Sequence, residues 1–214
     1  VLAELADPST AAALSGLLKS PYPEVKQNAT WALYKMGNTG NTRMLEDLKR
    51  LITSETEPMS VRINSVRTLG RLGTVNDDIV QTLTTVVTMR GEKYGMLRYF
   101  AVQALGDLGG SSLGDGEAET AELLARIAAR EKDTLIKTAA LDAVRRIGNS
   151  AEGVISTLEG LYKRSDNGEI RTLVLETLGD LGSPAAGELA ETLAFSDLEA
   201  SQKQRIVYSL AQSG

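Results

Sequence analysis

Val61-Arg62-Ile63-Asn64-Ser65-Val66-Arg67-Thr68-Leu69-Gly70-Arg71-Leu72-Gly73 is the stretch from which the fold of this chain can be read. Ser65, Val66, Leu69 and Leu72 stand three, four, seven and ten places after Arg62, which puts them on one stripe of an α-helix. Gly73 is suited to end that helix, because glycine takes the left-handed C′ conformation at little steric cost.

The stretch recurs. Leu69-Gly70-Arg71-Leu72-Gly73 matches Leu105-Gly106-Asp107-Leu108-Gly109 and Leu178-Gly179-Asp180-Leu181-Gly182, and looser copies end at Gly37, Gly148 and Gly214. Eleven residues before each closing glycine stands a base: Lys26, Arg62, Arg98, Lys137, Arg171 and Lys203. An apolar residue precedes five of the six bases, and Gln202 precedes the last. Small and apolar pairs follow at the same register: Ala29/Thr30, Ser65/Val66, Ala101/Val102, Ala140/Leu141, Val174/Leu175 and Ile206/Val207.

Before each such helix B lies a second amphipathic stretch, helix A, carried by Leu14/Leu17/Leu18, Leu45/Leu48/Leu51/Ile52, Val80/Leu83/Val86/Val87, Ala121/Leu124/Ile127, Ile155/Leu158/Leu161/Tyr162 and Leu189/Ala190/Leu193. Breakers such as Pro21, Pro23, Pro58, Gly95 and Gly168 mark the turns between A and B. The fold class expected is all-α, a right-handed α-α superhelix of about six helix pairs, in one continuous domain spanning 1–214. Its repeats run over roughly 7–37, 38–73, 74–109, 110–148, 149–182 and 183–214. Residues 1–6 align with the end of a helix B, and neither end shows a polar capping face, so the chain reads as an internal piece of a longer protein.

The period of about 35 residues lies near that of tetratricopeptide arrays, roughly 34, but the Trp, Tyr, Ala and Pro landmarks of those repeats are missing. The pattern hydrophobic-Arg-x-x-Ala-Val-x-x-Leu-Gly-x-Leu-Gly instead resembles the short HEAT-like repeats named after the phycobilisome bilin lyases, and the resemblance covers all six units. It implies an α-solenoid. For function it implies little, since such repeats occur in scaffolds, in lyase subunits and in many bacterial proteins.

Composition narrows the chemistry. The chain lacks both cysteine and histidine, which removes disulfides, thiolate nucleophiles, most transition-metal sites and the usual general base. No apolar run reaches the roughly 18 residues that a membrane span requires. A net charge of -5 argues against a nucleic-acid backbone as the main ligand. The glycine-rich stretch Gly109–Gly116 lacks the Lys-Ser/Thr of a phosphate loop, and Asp166-Asn167-Gly168-Glu169 lacks EF-hand spacing; both read as turns. The 28 acidic residues are scattered along the helices with no catalytic pairing. No catalytic residue, metal ligand or cofactor site is therefore expected.

The base column reads as a structural ladder, each stem lying on apolar neighbours and each head bonding helix ends or carboxylates between repeats. Binding is expected elsewhere on helix B, on the concave wall of the solenoid. Five places after the base stand Trp31, Arg67, Gln103, Asp142, Glu176 and Tyr208; nine after it stand Lys35, Arg71, Asp107, Arg146, Asp180 and Gln212. That face runs from an aromatic and basic end to an acidic end. Two places after the base, Phe100 and Leu173 also point away from the core. Trp31, Tyr34, Arg67, Arg71, Phe100 and Gln103 form the candidate protein-binding set, since Trp, Tyr and Arg supply most interface hot spots. Tyr94, Tyr99 and Phe100 make a second candidate patch.

The expected function is a non-catalytic scaffold for a protein or peptide. Two alternatives stand beside it. A bilin-lyase-like or other small-molecule role would need a deep pocket with converging polar groups; a structural spacer in a larger chain would need only length and curvature.

Overall fold

The alternation of A and B stripes folds as the spacing predicts. The computed structural model describes residues 8–37, 44–72, 77–109, 116–148, 151–183 and 199–212, and the described α-helices before residue 184 form five A–B pairs. The chain divides into two compact units, Val1–Leu113 and Gly114–Gly214.

The first unit contains α1 (Pro8–Leu17), α2 (Pro23–Met36), α3 (Leu45–Thr53), α4 (Met59–Gly70), α5 (Asp77–Val87) and α6 (Gly95–Gly109), with a 3-10 turn at Glu92–Tyr94 before α6. Each B helix packs on its own A helix, and the B helices pack on one another in the order α2, α4, α6. The second unit contains α7 (Glu117–Arg130), α8 (Thr134–Ile147), α9 (Glu152–Arg164), α10 (Gly168–Asp180) and α11 (Ala200–Gln212). There α8 packs on α7 and α10, α9 on α7 and α10, and α11 on α10. Residues Leu189, Ala190 and Leu193, expected in the last helix A, lie outside the described residues.

The stripe read for the B helices is the core in α2, α4, α6, α8 and α10, while Val80, Ile127 and Ile155 of the A stripes are half-buried and Ile79, Ala128 and Val154 take the buried positions. Ala29, Leu33, Val66, Leu69, Ala101, Val102, Leu105, Ala140, Leu141, Val144, Val174, Leu175 and Leu178 are buried. Leu17, counted with the first A stripe, is 45% exposed; Ala11, Leu14 and Leu18 fill the stripe at helical spacing and leave it off the buried face. Val207 of α11 is likewise exposed.

Local chemistry sets the helix ends. Pro23 opens α2 at a position where its missing N–H costs nothing. The Asp133 carboxylate accepts from the Leu135 N–H at 2.9 Å to cap α8, and the Asn167 amide oxygen accepts from the Ile170 N–H at 3.0 Å to cap α10. The Asp166–Glu169 segment is thus a helix start. Gly148 closes α8 in the left-handed conformation, φ 76° and ψ 11°. Gly37 and Gly182 also have positive φ. Gly109 departs from the expectation: it is the buried last residue of α6, inside the helix rather than its left-handed stop. Gly73, Gly214 and residues 110–115 of the glycine-rich stretch fall outside the described residues.

The first glycine of Leu-Gly-x-Leu-Gly serves a different purpose. A Cβ built on Gly70 would lie 2.6 Å from the Ala104 Cβ and 2.8 Å from its Cα. Glycine at this position lets α4 and α6 approach nearly backbone to backbone.

Candidate functional site

The site begins from the base ladder, because Lys26, Arg62, Arg98 and Arg171 each bond a neighbouring helix or turn. Arg62 is 3% exposed, and its Nε donates to the Ile52 carbonyl at 2.8 Å, satisfying an orphan acceptor at the end of α3. Arg98 does the same one repeat later, donating to Val87 at 3.2 Å. Lys26 is buried and pairs with Glu57, a residue of the turn that leads into α4. Arg171 donates to the Tyr162 hydroxyl at 2.9 Å and lies over that ring, 4.5 Å from its centroid. Lys137 and Lys203 are half-buried.

A further network supports the ladder at Arg62. The Arg62 guanidinium stands 5.5 Å from the Tyr94 ring centroid, and the Tyr94 hydroxyl donates to Glu55, which also pairs with Lys93 at 3.3 Å. The Tyr94 hydrogen bond, followed by that of Lys93, holds the Glu55 carboxyl below its ordinary range. Tyr94 is therefore a buried strut, separate in role from half-buried Tyr99 and Phe100.

Three successive B helices bring the candidate binding residues together around Arg67 of α4. Its guanidinium carbon lies 4.0 Å from the Tyr34 ring centroid, 5.2 Å from that of Trp31 and 5.0 Å from that of Phe100. Trp31 and Tyr34 come from α2 and Phe100 from α6, so one cation joins three helices through cation–π attraction. Arg71 adds a second guanidinium 5.1 Å from the Tyr34 centroid, and Lys35 an ammonium 5.3 Å from that of Trp31. The Trp31 and Tyr34 rings are tilted against each other at 5.5 Å, while Phe100 meets Tyr99 edge-on at 5.1 Å. Gln103 donates from Nε2 to the Tyr99 hydroxyl at 2.8 Å and so sits at the edge of the cluster.

The electrostatics follow from this arrangement. Lys35, Arg67 and Arg71 have no carboxylate partner among the described residues. Burial pushes the Tyr34 phenol up, but hydrogen bonding and charge from Arg67, then from Arg71, outweigh it and leave the group below its ordinary value. Trp31 is 42% exposed, and Lys35 and Arg71 face solvent. A cleft of about 50 Å³ opens among Tyr34, Arg67, Phe100, Gln103, Ala104 and Asp107. It is far smaller than the roughly 300 Å³ at which small-molecule sites begin.

The corresponding positions of the second unit are wired differently. Asp142 of α8 pairs with Arg145 at 2.9 Å and Arg146 at 3.0 Å, and Arg145 reaches Asp180 of α10 at 3.5 Å. Glu176 is buried. The acidic end expected from the spacing is thus a lattice of paired charges, because Arg145 and Arg146 interleave with the carboxylates.

Sequence reasoning placed Lys35 at the right register without assigning it to the site, and it passed over Glu57 and Glu55. Their signal was an acidic residue in the turn before helix B, Glu55 or Glu57 in Ser54-Glu55-Thr56-Glu57-Pro58. A larger depression of about 410 Å³ lies over α3 and α5, lined by Glu46, Lys49, Arg50, Gln81 and three threonines. Among the described residues no cluster of acidic side chains could hold a metal ion, and no helix is long and apolar enough to cross a membrane.

Comparison with known structures supports the fold. The chain has the fold of HEAT- and armadillo-like repeat proteins. It is similar to an engineered protein of the Northeast Structural Genomics Consortium, with a TM-score of 0.64 and 18% identity over 95% of this chain and 98% of that one. It is also similar to a designed armadillo repeat protein in complex with the peptide (KR)4, with a TM-score of 0.60 and 15% identity over 92% of this chain and 98% of that one. The TSC2 N-terminus aligns with a TM-score of 0.59 and 16% identity over 94% of this chain and 59% of that one. No family model and no curated protein sequence matches the chain.

Proposed function

We propose that the chain is a non-catalytic repeat scaffold that recognises a protein or peptide on the exposed face of α2, α4 and α6. The observation that carries this reading is Arg67 held among the rings of Trp31, Tyr34 and Phe100, with Trp31 left 42% exposed beside the solvent-facing Arg71 and Lys35. Aromatic and arginine side chains clustered at the middle of a surface are what hot spots are made of. The cleft of about 50 Å³ suits surface contact better than enclosure of a small molecule. A similar fold in a designed armadillo repeat protein holds the peptide (KR)4, so repeat surfaces of this kind support peptide recognition.

The test is selection from a random peptide display library on the intact chain and on the double variant Trp31→Ala, Arg71→Glu, both at exposed positions. Peptides enriched on the first and lost on the second are expected. Identical peptides on both would move the site elsewhere, and none on either would favour the spacer.

A further inference from the structure

The rings and cations on α2, α4 and α6 also specify what the bound segment must look like. Each cation of the cluster already has its flat or apolar side occupied. Lys35 lies over Trp31, Arg71 over Tyr34, and Arg67 is enclosed by Trp31, Tyr34 and Phe100. A ring neutralises no charge. Beyond the donors that Arg67 and Arg71 give to the Tyr34 phenol, each guanidinium carries further N–H groups, and arginine grips a carboxylate through two parallel hydrogen bonds from such groups. Three fixed cations with no carboxylate partner among the described residues therefore stand on a chain whose net charge is -5. The lowered phenol of Tyr34 reports the same excess of positive field.

In the second unit Asp142 and Asp180 meet that demand for Arg145 and Arg146. On the first unit no described carboxylate does so for Lys35, Arg67 and Arg71. The exposed Trp31 ring adds a flat apolar surface beside the cations, and the cleft of about 50 Å³ is far below the size of a small-molecule site, so an extended segment lying across the cluster fits it better than an enclosed ligand.

Resting on the reading of this face as a peptide site, we propose that Trp31, Lys35, Arg67 and Arg71 bind an acidic peptide segment, its Asp or Glu carboxylates on the cations and one aromatic or apolar residue on Trp31. The charge complementarity is opposite to that needed for a basic peptide such as (KR)4.

Isothermal titration calorimetry on the 214-residue chain tests this with three synthetic peptides: an acidic one with a central Phe, the same acidic peptide with Ser in place of Phe, and (KR)4. The acidic Phe peptide should bind, weaken as salt rises because exposed charges are screened, and lose at least about tenfold in affinity to the variant Lys35→Glu, Arg71→Glu. The Ser peptide should bind more weakly, and Asp142→Ala in the second unit should change nothing. Both mutated cations face solvent, so this variant keeps its fold, and an unchanged melting temperature checks that. Equal binding by (KR)4, or acidic binding unaffected by the variant, overturns the proposal. If the display selection yields only uncharged or basic peptides, the acidic specificity fails while the peptide site stands; if no peptide is selected or binds, both fail. Concentration-dependent self-association abolished by the same variant would assign the face to a second copy of the chain and overturn the proposal as well.

Discussion

The exposed B-helix faces of the two units use arginine in opposite ways. On α4 and its neighbours Arg67 and Arg71 rest on rings; on α8 and α10 Arg145 and Arg146 rest on Asp142 and Asp180. An arginine on a carboxylate is neutralised and tied into its own scaffold, whereas an arginine on a ring is held in position with its charge still unspent. A net charge of -5 hides this difference, because the surplus of positive charge is local. The second face ties neighbouring repeats together, and the first keeps its cations open, as the proposed peptide site requires.

The largest effect that sharpens this contrast concerns the ladder beneath the first face. Glu57→Ala strips Lys26 of its partner while Lys26 stays buried, and urea unfolding should show a loss of about 3–5 kcal/mol. Exchanging both residues for apolar ones of similar volume, Lys26→Met with Glu57→Leu, should recover most of it, which an interaction of exposed charges would not do.

Next in size is Gly70→Ala. Its Cβ would collide with the Ala104 backbone, forcing α4 and α6 apart at a cost of about 1–3 kcal/mol, and the separation should draw Phe100 away from Arg67. Adding Ala104→Gly should return part of the loss, and no recovery would refute the close approach as the cause. In the second unit Asp142→Ala removes ion pairs that are about half exposed, so denaturation should register no more than about 1 kcal/mol. A larger loss would mean that those arginines carry the unit's stability, and the contrast between the faces would weaken.

The smallest effect is a titration. The near-ultraviolet tyrosinate signal missing from Tyr34→Phe should appear below the ordinary value of about 10. With Arg67 and Arg71 both changed to alanine only burial remains, and the same signal should move above that value. Because the folded group titrates below its unfolded value, its contribution to stability is present above about pH 10 and is lost as pH falls through the folded value. Tyr34 accordingly adds no pH dependence to stability near neutrality.

Much of this was legible in the residues. The fixed interval from base to closing glycine marked each helix B, and offsets of five and nine from the base picked out Trp31, Arg67 and Arg71. Convergence on Arg67 was not legible, since it depends on the distance between helices, and that distance is set by Gly70 against Ala104. The closing glycine of Leu-Gly-x-Leu-Gly reads as a helix stop, and nothing in the spacing gives the first glycine a role. In the structure the first glycine at Gly70 governs helix approach, and at Gly109 the closing glycine remains helical. The acidic end of the B face misled for a related reason: counting single positions ignored Arg145, one place off the register, which pairs with both Asp142 and Asp180.

Trp31 is the chain's single tryptophan, and it stands within 5.5 Å of the Tyr34 ring and against two cations. The face that would meet a partner therefore carries its own optical reporter. Whatever shifts the indole emission of this protein without unfolding it has touched the cluster on α2 and α4, and the remaining repeats stay dark to that light.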